Sequence, residues 1–294
     1  MALSPSGPHG LVRTATSVLA AFAVILSGLG NHRAAAAPAP VSAGSPSGHH
    51  HQSLDTRQAN IGKPVAFFLA GDSTTAAQSS TGGGWGPGFL STLDTTRGAT
   101  GRNFAKDGAT TVSFVADGLW AQLTSSARLA VAEGRDTFVT IQFGHNDKNP
   151  AKGISLDAYQ ANLARMAGDV AALGATPILV TPLTKRLFDT NTTPPRVDDD
   201  LAWQQNRTLV AAVQGGFPFV DLHRRSMDYV NAIGPASAAA YSRVPGDNVH
   251  INARGSVVFG RLVADLVSKN LPRTGAWIKK DAELTGKIQA GVPA

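Results

Sequence analysis

The chain has 294 residues, of which 43% are hydrophobic and 16% are charged, and it contains no cysteine. This composition is too apolar for a disordered protein, and the lack of cysteine excludes disulfide scaffolds, zinc fingers, iron–sulfur proteins and thiol enzymes. The formal net charge of +6 comes from scattered basic residues without a lysine or arginine run, which argues against nucleic acid as a partner.

The first 37 residues predict a secretory signal peptide. Residues 18–30 form an apolar run shorter than a membrane-spanning helix requires, and four alanines follow at positions 34–37. We therefore expect a secreted, extracellular protein without membrane attachment after cleavage. A retained membrane anchor is the alternative.

Residues 38–63 are rich in proline, serine, glycine and histidine and predict a flexible linker. His49, His50 and His51 lie in this segment, either as metal ligands or as a solvated polar tract. We expect the second, because a disordered segment offers no groups to orient metal ligands. Asn191 and Asn206 begin N-glycosylation sequons. Residues 64–294 remain as one domain of ordinary size.

Apolar runs and amphipathic stretches alternate along this domain. Short apolar runs predict buried strands at residues 65–70, 137–143, 177–181 and 217–222, with another strand near 102–105. Apolar residues at helical spacing predict helices at residues 111–129, 156–173, 198–213 and 257–271. The alternation predicts an α/β fold with a parallel sheet covered by helices on both faces. In such sheets, functional sites form at the carboxyl ends of the strands.

The second predicted helix has recognisable ends. Ser155 is expected to cap its N-terminus, and Gly174 is expected to end it.

A serine follows the first predicted strand, in the order Gly71, Asp72, Ser73. On a strand-to-helix turn its hydroxyl lies at the sheet edge near a helix N-terminus, which favours developing negative charge. The G-x-S-x-G motif of another large hydrolase class is absent from the chain. An ordinary helix-capping serine is the alternative.

Two further motifs suit an anionic intermediate. Gly108 lets its backbone N–H approach a ligand closely. Asn146 follows the strand at 137–143 and carries a neutral amide donor that suits an oxyanion. Each motif taken alone is more typical of a turn.

The predicted domain contains three histidines, His145, His223 and His250. Asp247 precedes His250 by three residues, a spacing that places a carboxylate beside the imidazole in a turn. The carboxylate then accepts from Nδ1–H and leaves Nε2 free as a base. A solvated loop pair is the alternative, and the role of His145 stays open.

With these motifs, the chain resembles the SGNH (GDSL-type) hydrolase superfamily. The resemblance spans residues 65–271, and its blocks are Gly71-Asp72-Ser73, Gly108, Gly144-His145-Asn146-Asp147, and Asp247 to His250. Within the superfamily, the chain is most similar to rhamnogalacturonan acetylesterases, through residues 68–75, 84–86, 144–147 and 180–186.

The resemblance implies a three-layer α/β/α fold around a parallel, flavodoxin-like central sheet. It implies that Ser73 is the nucleophile, that His250 is the base and that Asp247 orients His250. The implied oxyanion hole consists of the backbone N–H groups of Ser73 and Gly108 and the side-chain amide of Asn146.

Two features depart from the family pattern. The second block reads Lys106-Asp107-Gly108 rather than a double glycine. Some secreted relatives also carry disulfides, which a chain without cysteine cannot form.

The expected reaction removes acetyl groups from a plant cell-wall polysaccharide, rhamnogalacturonan (pectin) in particular. It proceeds through an acyl-enzyme and needs no metal or other cofactor. The alternatives are a lipase or xylan acetylesterase with the same machinery, and an inactive secreted carbohydrate-binding protein. We expect the protein to be a monomer.

Several side chains are candidates for substrate binding. Lys106, Lys185 and Arg186 follow predicted strands and either face an acidic polysaccharide or are solvated surface charges. Trp85 either stacks on a sugar ring or is a core aromatic. The aspartates at 198–200 are predicted to form an N-terminal helix cluster, which the macrodipole favours.

Overall fold

A computed structural model describes residues 62–294, and seven strands lie in this range. They are β1 (Val65–Gly71), β2 (Thr100–Asn103), β3 (Asp136–Gln142), β4 (Thr176–Val180), β5 (Phe188–Asp189), β6 (Arg196–Val197) and β7 (Phe219–Val220). Five of them form a parallel sheet in the order β2-β1-β3-β4-β7. This is the flavodoxin-like order, so the predicted sheet is confirmed. The remaining two, β5 and β6, form a small antiparallel pair.

Eight α-helices lie within the same range. They are α1 (Gly86–Ser91), α2 (Ser113–Ala116), α3 (Leu119–Ala132), α4 (Leu156–Ala172), α5 (Ala202–Gly215), α6 (Leu222–Ala239), α7 (Ala253–Asn270) and α8 (Ala282–Gln289).

Side chains from the two faces of the sheet enter two separate hydrophobic cores. From β1, Phe67 and Leu69 pack in a core that also contains residues of α1, α6 and α7. From β3, Val139 and Ile141 pack in a core with residues of α3, α4 and α5. Because successive strand residues point to opposite faces, a strand buried on both sides is a continuous apolar run. The three-layer α/β/α architecture follows.

The predicted helix at 156–173 is confirmed as α4. Ser155 Oγ accepts from the backbone N–H of Ala158 at 3.1 Å, and Gly174 lies just beyond the helix end. The predicted helix at 111–129 is instead two helices, α2 and α3, because the chain turns at Asp117 and Gly118.

Two more predicted boundaries shift. The strand expected at 217–222 keeps only two residues, because Leu222 begins α6 and Asp221 caps it by accepting from the backbone N–H of Arg224. The last long helix begins at Ala253, four residues earlier than expected, since Asn252 caps it by accepting from the backbone N–H of Gly255.

Some predictions lie outside the described residues. These are the signal peptide at 1–37, residues 38–61 of the linker, and the histidines at 49–51. Within residues 62–294, no helix is both long and apolar enough to cross a membrane. In that same range, no three His, Asp or Glu side chains are grouped so that they could hold a metal ion.

Candidate active site

Ser73 lies two residues beyond β1, at the carboxyl edge of the sheet. Backbone hydrogen bonds from Thr75 and Ala76 to the carbonyl of Asp72 turn the chain there, each at 3.0 Å. Gly71 permits this turn, because a side chain at that position would meet Thr75 Oγ1 at 2.5 Å and the carbonyl of Gln142 at 2.9 Å. The turn presents Ser73 Oγ to His250 Nε2 at 2.8 Å.

Asp247 and His250 face each other within a short loop, residues 247–250. His250 Nδ1 lies 3.1 Å from Asp247 Oδ2. The other oxygen, Oδ1, accepts from the backbone N–H groups of Val249 at 3.0 Å and His250 at 2.9 Å. With the Nδ1 proton directed at the carboxylate, Nε2 is free to accept the proton of Ser73.

The carboxyl of Asp247 is held in its ionised form. Burial acts to raise its pKa, but the backbone N–H donors of His250 and Val249 and the imidazole outweigh burial and lower the pKa to about 2. Asp247 is therefore an anion at neutral pH, as required of a group that orients an imidazole and balances its charge.

Arg186 holds this loop from behind, whereas the sequence offered a substrate contact or a solvated surface charge. Both expectations are wrong, because Arg186 is only 4% exposed. Its guanidinium donates to the backbone carbonyls of Asp247 at 3.1 Å and His250 at 2.6 Å. Its own backbone N–H donates to the carbonyl of Asn248 at 2.8 Å. Burial lowers the pKa of Arg186 to about 10, so it remains a cation at neutral pH.

Arg243 holds the same loop from its side. Its Nε donates to Asp247 Oδ2 at 3.0 Å, and its Nη1 donates to the backbone carbonyl of Ser80 at 2.6 Å. The role of Arg243 was not predictable from the sequence, because an arginine four residues before an aspartate is also typical of an ordinary surface ion pair.

Gln142 organises the other side of the site, and its role was likewise not predicted from the sequence. This fully buried side chain ends β3, and its Oε1 accepts from Thr75 Oγ1 at 2.6 Å and from Trp85 Nε1 at 2.8 Å. Its Nε2 donates to Thr74 Oγ1 at 2.9 Å. Trp85 is therefore a core residue with no exposed surface, so the core-aromatic alternative is confirmed and the sugar-stacking alternative is wrong.

Asp72 is buried directly before Ser73. Its Oδ1 accepts from the backbone N–H and the hydroxyl of Thr74, at 2.9 and 2.6 Å, whereas its Oδ2 has no hydrogen-bond partner among the described residues. Burial raises the pKa of Asp72 to about 7, with a further contribution from the charge of Asp147. Asp147 is buried as well, and burial raises its pKa.

The two remaining predicted donors lie side by side. Gly108 has φ of +73°, a left-handed conformation that glycine adopts without strain. The backbone N–H of Lys106 donates to the carbonyl of Gly71 at 3.1 Å, which ties this segment to the end of β1. Asn146 Nδ2 donates to the carbonyl of Ala109 at 3.0 Å. This bond orients the amide of Asn146 and uses one of its two N–H groups.

The remaining charged candidates make other contacts. Lys106 is paired with Asp117 at 2.7 Å, and Lys185 is paired with Asp200 at 2.6 Å. The aspartates at 198–200 precede α5, whose first turn holds no acidic residue, so the predicted helix-terminal cluster is wrong. Asp199 instead contacts His223 Nε2 at 2.8 Å.

His145 is not arranged as a base. Its Nε2 lies 2.8 Å from the backbone carbonyl of Leu183, an acceptor to which only a protonated nitrogen can bond. Burial lowers the pKa of His145 to about 3, so its imidazole is neutral at physiological pH.

A model of the GDSL-like lipase/acylhydrolase family matches residues 69–258, which is more than half of the chain and includes every motif of the site. The chain belongs to the GDSL-like lipase/acylhydrolase family. The superfamily resemblance is thus confirmed, and the protein is a carboxylic ester hydrolase. It is 30% identical over 221 residues to rhamnogalacturonan acetylesterase RhgT of Bacillus subtilis, covering 69% of this chain and 89% of that relative.

Solved structures support the fold of the family. The chain is similar to protein YxiM from Bacillus subtilis, with a TM-score of 0.58 and 23% identity, covering 70% of this chain and 57% of that one. It is also similar to a variant of an acetyl xylan esterase from Geobacillus stearothermophilus, with a TM-score of 0.53 and 18% identity, covering 76% of this chain and all of that one. At these identities the likeness concerns the fold alone.

Proposed function

We propose that this protein is a secreted serine esterase that removes acetyl groups from a plant cell-wall polysaccharide, rhamnogalacturonan in particular. The observation that carries the proposal is the hydrogen-bonded series Ser73–His250–Asp247, with 2.8 and 3.1 Å between the interacting atoms. This is the arrangement in which a serine hydroxyl becomes a nucleophile by passing its proton to a histidine.

The reaction takes two similar steps. Ser73 Oγ attacks the ester carbonyl carbon while His250 Nε2 takes the hydroxyl proton. The tetrahedral intermediate then collapses, the carbon–oxygen bond to the sugar breaks, and His250 returns the proton to the departing sugar oxygen. Water attacks the acetyl-enzyme in the same manner, which releases acetate and regenerates Ser73. Asp247 stabilises the imidazolium in both steps.

The oxyanion would be bound by three donors. These are the backbone N–H groups of Ser73 and Gly108 and the second N–H of Asn146. Donors oriented before the reaction stabilise the developing charge without reorganisation, and the contact of Asn146 with Ala109 provides that orientation for one of the three. This chemistry requires no metal or other cofactor.

The proposed substrate and the proposed location of the protein are supported by different observations. The choice of an acetylated polysaccharide draws on the named activity of the Bacillus subtilis relative. Secretion draws on the signal-like segment at residues 1–37. We propose that the protein acts outside the cell as a monomer, with no nucleic acid partner and no membrane attachment.

The deciding experiment measures acetate released from acetylated rhamnogalacturonan, acetylated xylan and a long-chain ester. We expect rhamnogalacturonan to be deacetylated fastest, and Ser73→Ala to abolish release from all three. Ser125→Ala, on the exposed surface of α3, is the matched control and should behave as wild type. Faster release from xylan, or hydrolysis of the long-chain ester alone, would replace the proposed substrate by one of the alternatives.

The non-enzymatic alternative has its own test. An organophosphonate ester should label Ser73 covalently if the serine is activated. Polysaccharide binding without labelling or acetate release would indicate an inactive carbohydrate-binding protein.

A further inference from the structure

A cavity of about 670 Å³ opens beside the segment of the chain that carries Asn146. His145 and Lys148, on either side of Asn146 in the segment after β3, form part of its wall. Another part is formed by Trp203, in the first turn of α5, and by Asp200, which precedes the helix. The volume lies within the range of pockets that bind small organic ligands.

Trp203 is the exposed aromatic residue of this wall. Its surface is 67% exposed, whereas the other three tryptophans of the chain, Trp85, Trp120 and Trp277, are at most 6% exposed. An exposed indole forgoes the free energy that burial of its large apolar surface would provide. A flat apolar ring beside a polar cavity is suited to stack against the C–H face of a sugar ring.

Two lysines share the carboxylate of Asp200. Lys148 and Lys185 both donate to Asp200 Oδ2, and their side chains are only 24% and 17% exposed. Two ammonium groups therefore share one carboxylate, and Asp200 alone does not neutralise both of them. Burial and the neighbouring charge of Lys185 lower the pKa of Lys148. A second anion beside Lys148 would give the two ammonium groups a further partner and would raise the lowered pKa of Lys148.

We propose that this cavity is a sugar-binding subsite for a monosaccharide unit of the polymer that carries a carboxylate. The sugar ring stacks on Trp203 and the carboxylate binds Lys148. The inference rests on the proposed function, because it takes the acetylated polysaccharide as the ligand. It adds to the proposed function a binding cavity and the residues, Lys148 and Trp203, that select an acidic polymer over a neutral one.

Binding is measured by calorimetry in the Ser73→Ala background, so that no hydrolysis occurs. The probes are an oligogalacturonate and the same oligomer after reduction of its carboxyl groups to alcohols. We expect the acidic oligomer to bind at least tenfold more tightly, the order of one charge-assisted hydrogen bond. Lys148→Met should remove this preference, and Lys148→Arg should retain it.

Trp203→Ala is expected to weaken both oligomers by about tenfold, because stacking does not depend on the carboxylate. The control is Lys287→Met, which removes an exposed lysine of α8 paired with Glu283 and should change neither affinity. Thermal unfolding of each variant tests whether it is folded. We expect the Lys148 variants to fold, since Asp200 keeps its contact with Lys185.

Equal affinity of the Ser73→Ala protein for the two oligomers would overturn the proposal, as would a preference that survives Lys148→Met. Acetate release by the unmodified enzyme is scored separately. If the unmodified enzyme releases no acetate from acetylated polymers but the Ser73→Ala form still prefers the acidic oligomer, the proposed function is refuted and the proposed subsite is retained.

Discussion

The strand half of the site (residues 71–75 and 142–147) follows directly from β1 and β3, whereas the loop half (residues 247–250) is attached to no strand of the sheet. β1 and β3 are hydrogen-bonded neighbours whose last residues, Gly71 and Gln142, are paired in register. The loop half is held by an internal turn around Asp247 and by two arginines from other segments. Strand pairing therefore positions the first half, with support from the Gln142 side chain, whereas a local turn and arginine side chains position the second, so the two should respond differently to substitution.

The largest effect is expected from the strand half, at the proposed oxyanion donor. Asn146→Ala should lower kcat by about 10²–10³, the usual result of removing one such donor. Thermal unfolding should change little, since the substitution removes one partly exposed hydrogen bond. Steady-state kinetics on an acetyl ester provide the measurement, and wild-type turnover would exclude Asn146 from the oxyanion hole.

The next effect concerns the stability of the strand half. Gln142→Leu leaves the buried donors of Thr75 and Trp85 without their acceptor, which should cost about 2–4 kcal/mol of unfolding free energy. Urea denaturation measures the loss. Gln122→Leu on the exposed face of α3 is the control. A cost as small as that of the control would mean that this network does not support the turn at Ser73.

Arg186→Lys should affect the loop half without comparable loss of stability. Lysine keeps the positive charge but lacks the planar fork that donates to two carbonyls at once. We expect kcat to fall about tenfold with KM nearly unchanged, because His250 loses its position relative to Ser73. Arg224→Lys, at an exposed ion pair with Asp228, is the matched control. A change confined to the unfolding temperature would assign Arg186 a purely structural role.

The smallest effect at neutral pH concerns folding stability, whose dependence on pH should differ between Asp247 in the loop half and Asp72 in the strand half. The pKa of Asp247 is lowered from 3.8 to about 2, so its stabilising contribution is complete above pH 4 and is lost as the pH falls towards 2. The pKa of Asp72 is raised from 3.8 to about 7, so its ionisation costs stability as the pH rises from 4 to 7.

Asp72→Asn tests this difference. The asparagine oxygen can still accept from Thr74. The variant should show a smaller decline in stability between pH 4 and 7, where Asp147 with its raised pKa still contributes, and should keep the decline below pH 4. Urea unfolding across this pH range provides the measurement. An unchanged decline above pH 4 would show that Asp72 does not titrate there.

The fold and the motif positions were predictable because their signals are local. A strand buried on both faces is a continuous apolar run, and the motif blocks containing Ser73 and Asn146 begin directly where such a run ends. The three-residue spacing of Asp247 and His250 likewise predicts their contact within one turn.

The errors concern side chains whose type allows two opposite placements. Arginine and tryptophan occur both at surfaces and in interiors, so the positions of Arg186 and Trp85 after strands or turns did not distinguish the two. The aspartates at 198–200 could have entered a helix. Asp199 and Asp200 instead bind His223 and two lysines, which other parts of the chain supply.

The sequence by itself determined the parallel sheet, the order of its elements and the residues that end its strands, because these depend on neighbouring residues. Only the tertiary structure decided which groups surround those ends. Arg186 lies 64 positions before His250, and Gln142 lies 57 positions after Trp85. Contacts at such separations depend on how whole elements pack. That packing decided between the two placements open to Trp85 in favour of the core, and it made Arg186 the support of the Asp247–His250 loop.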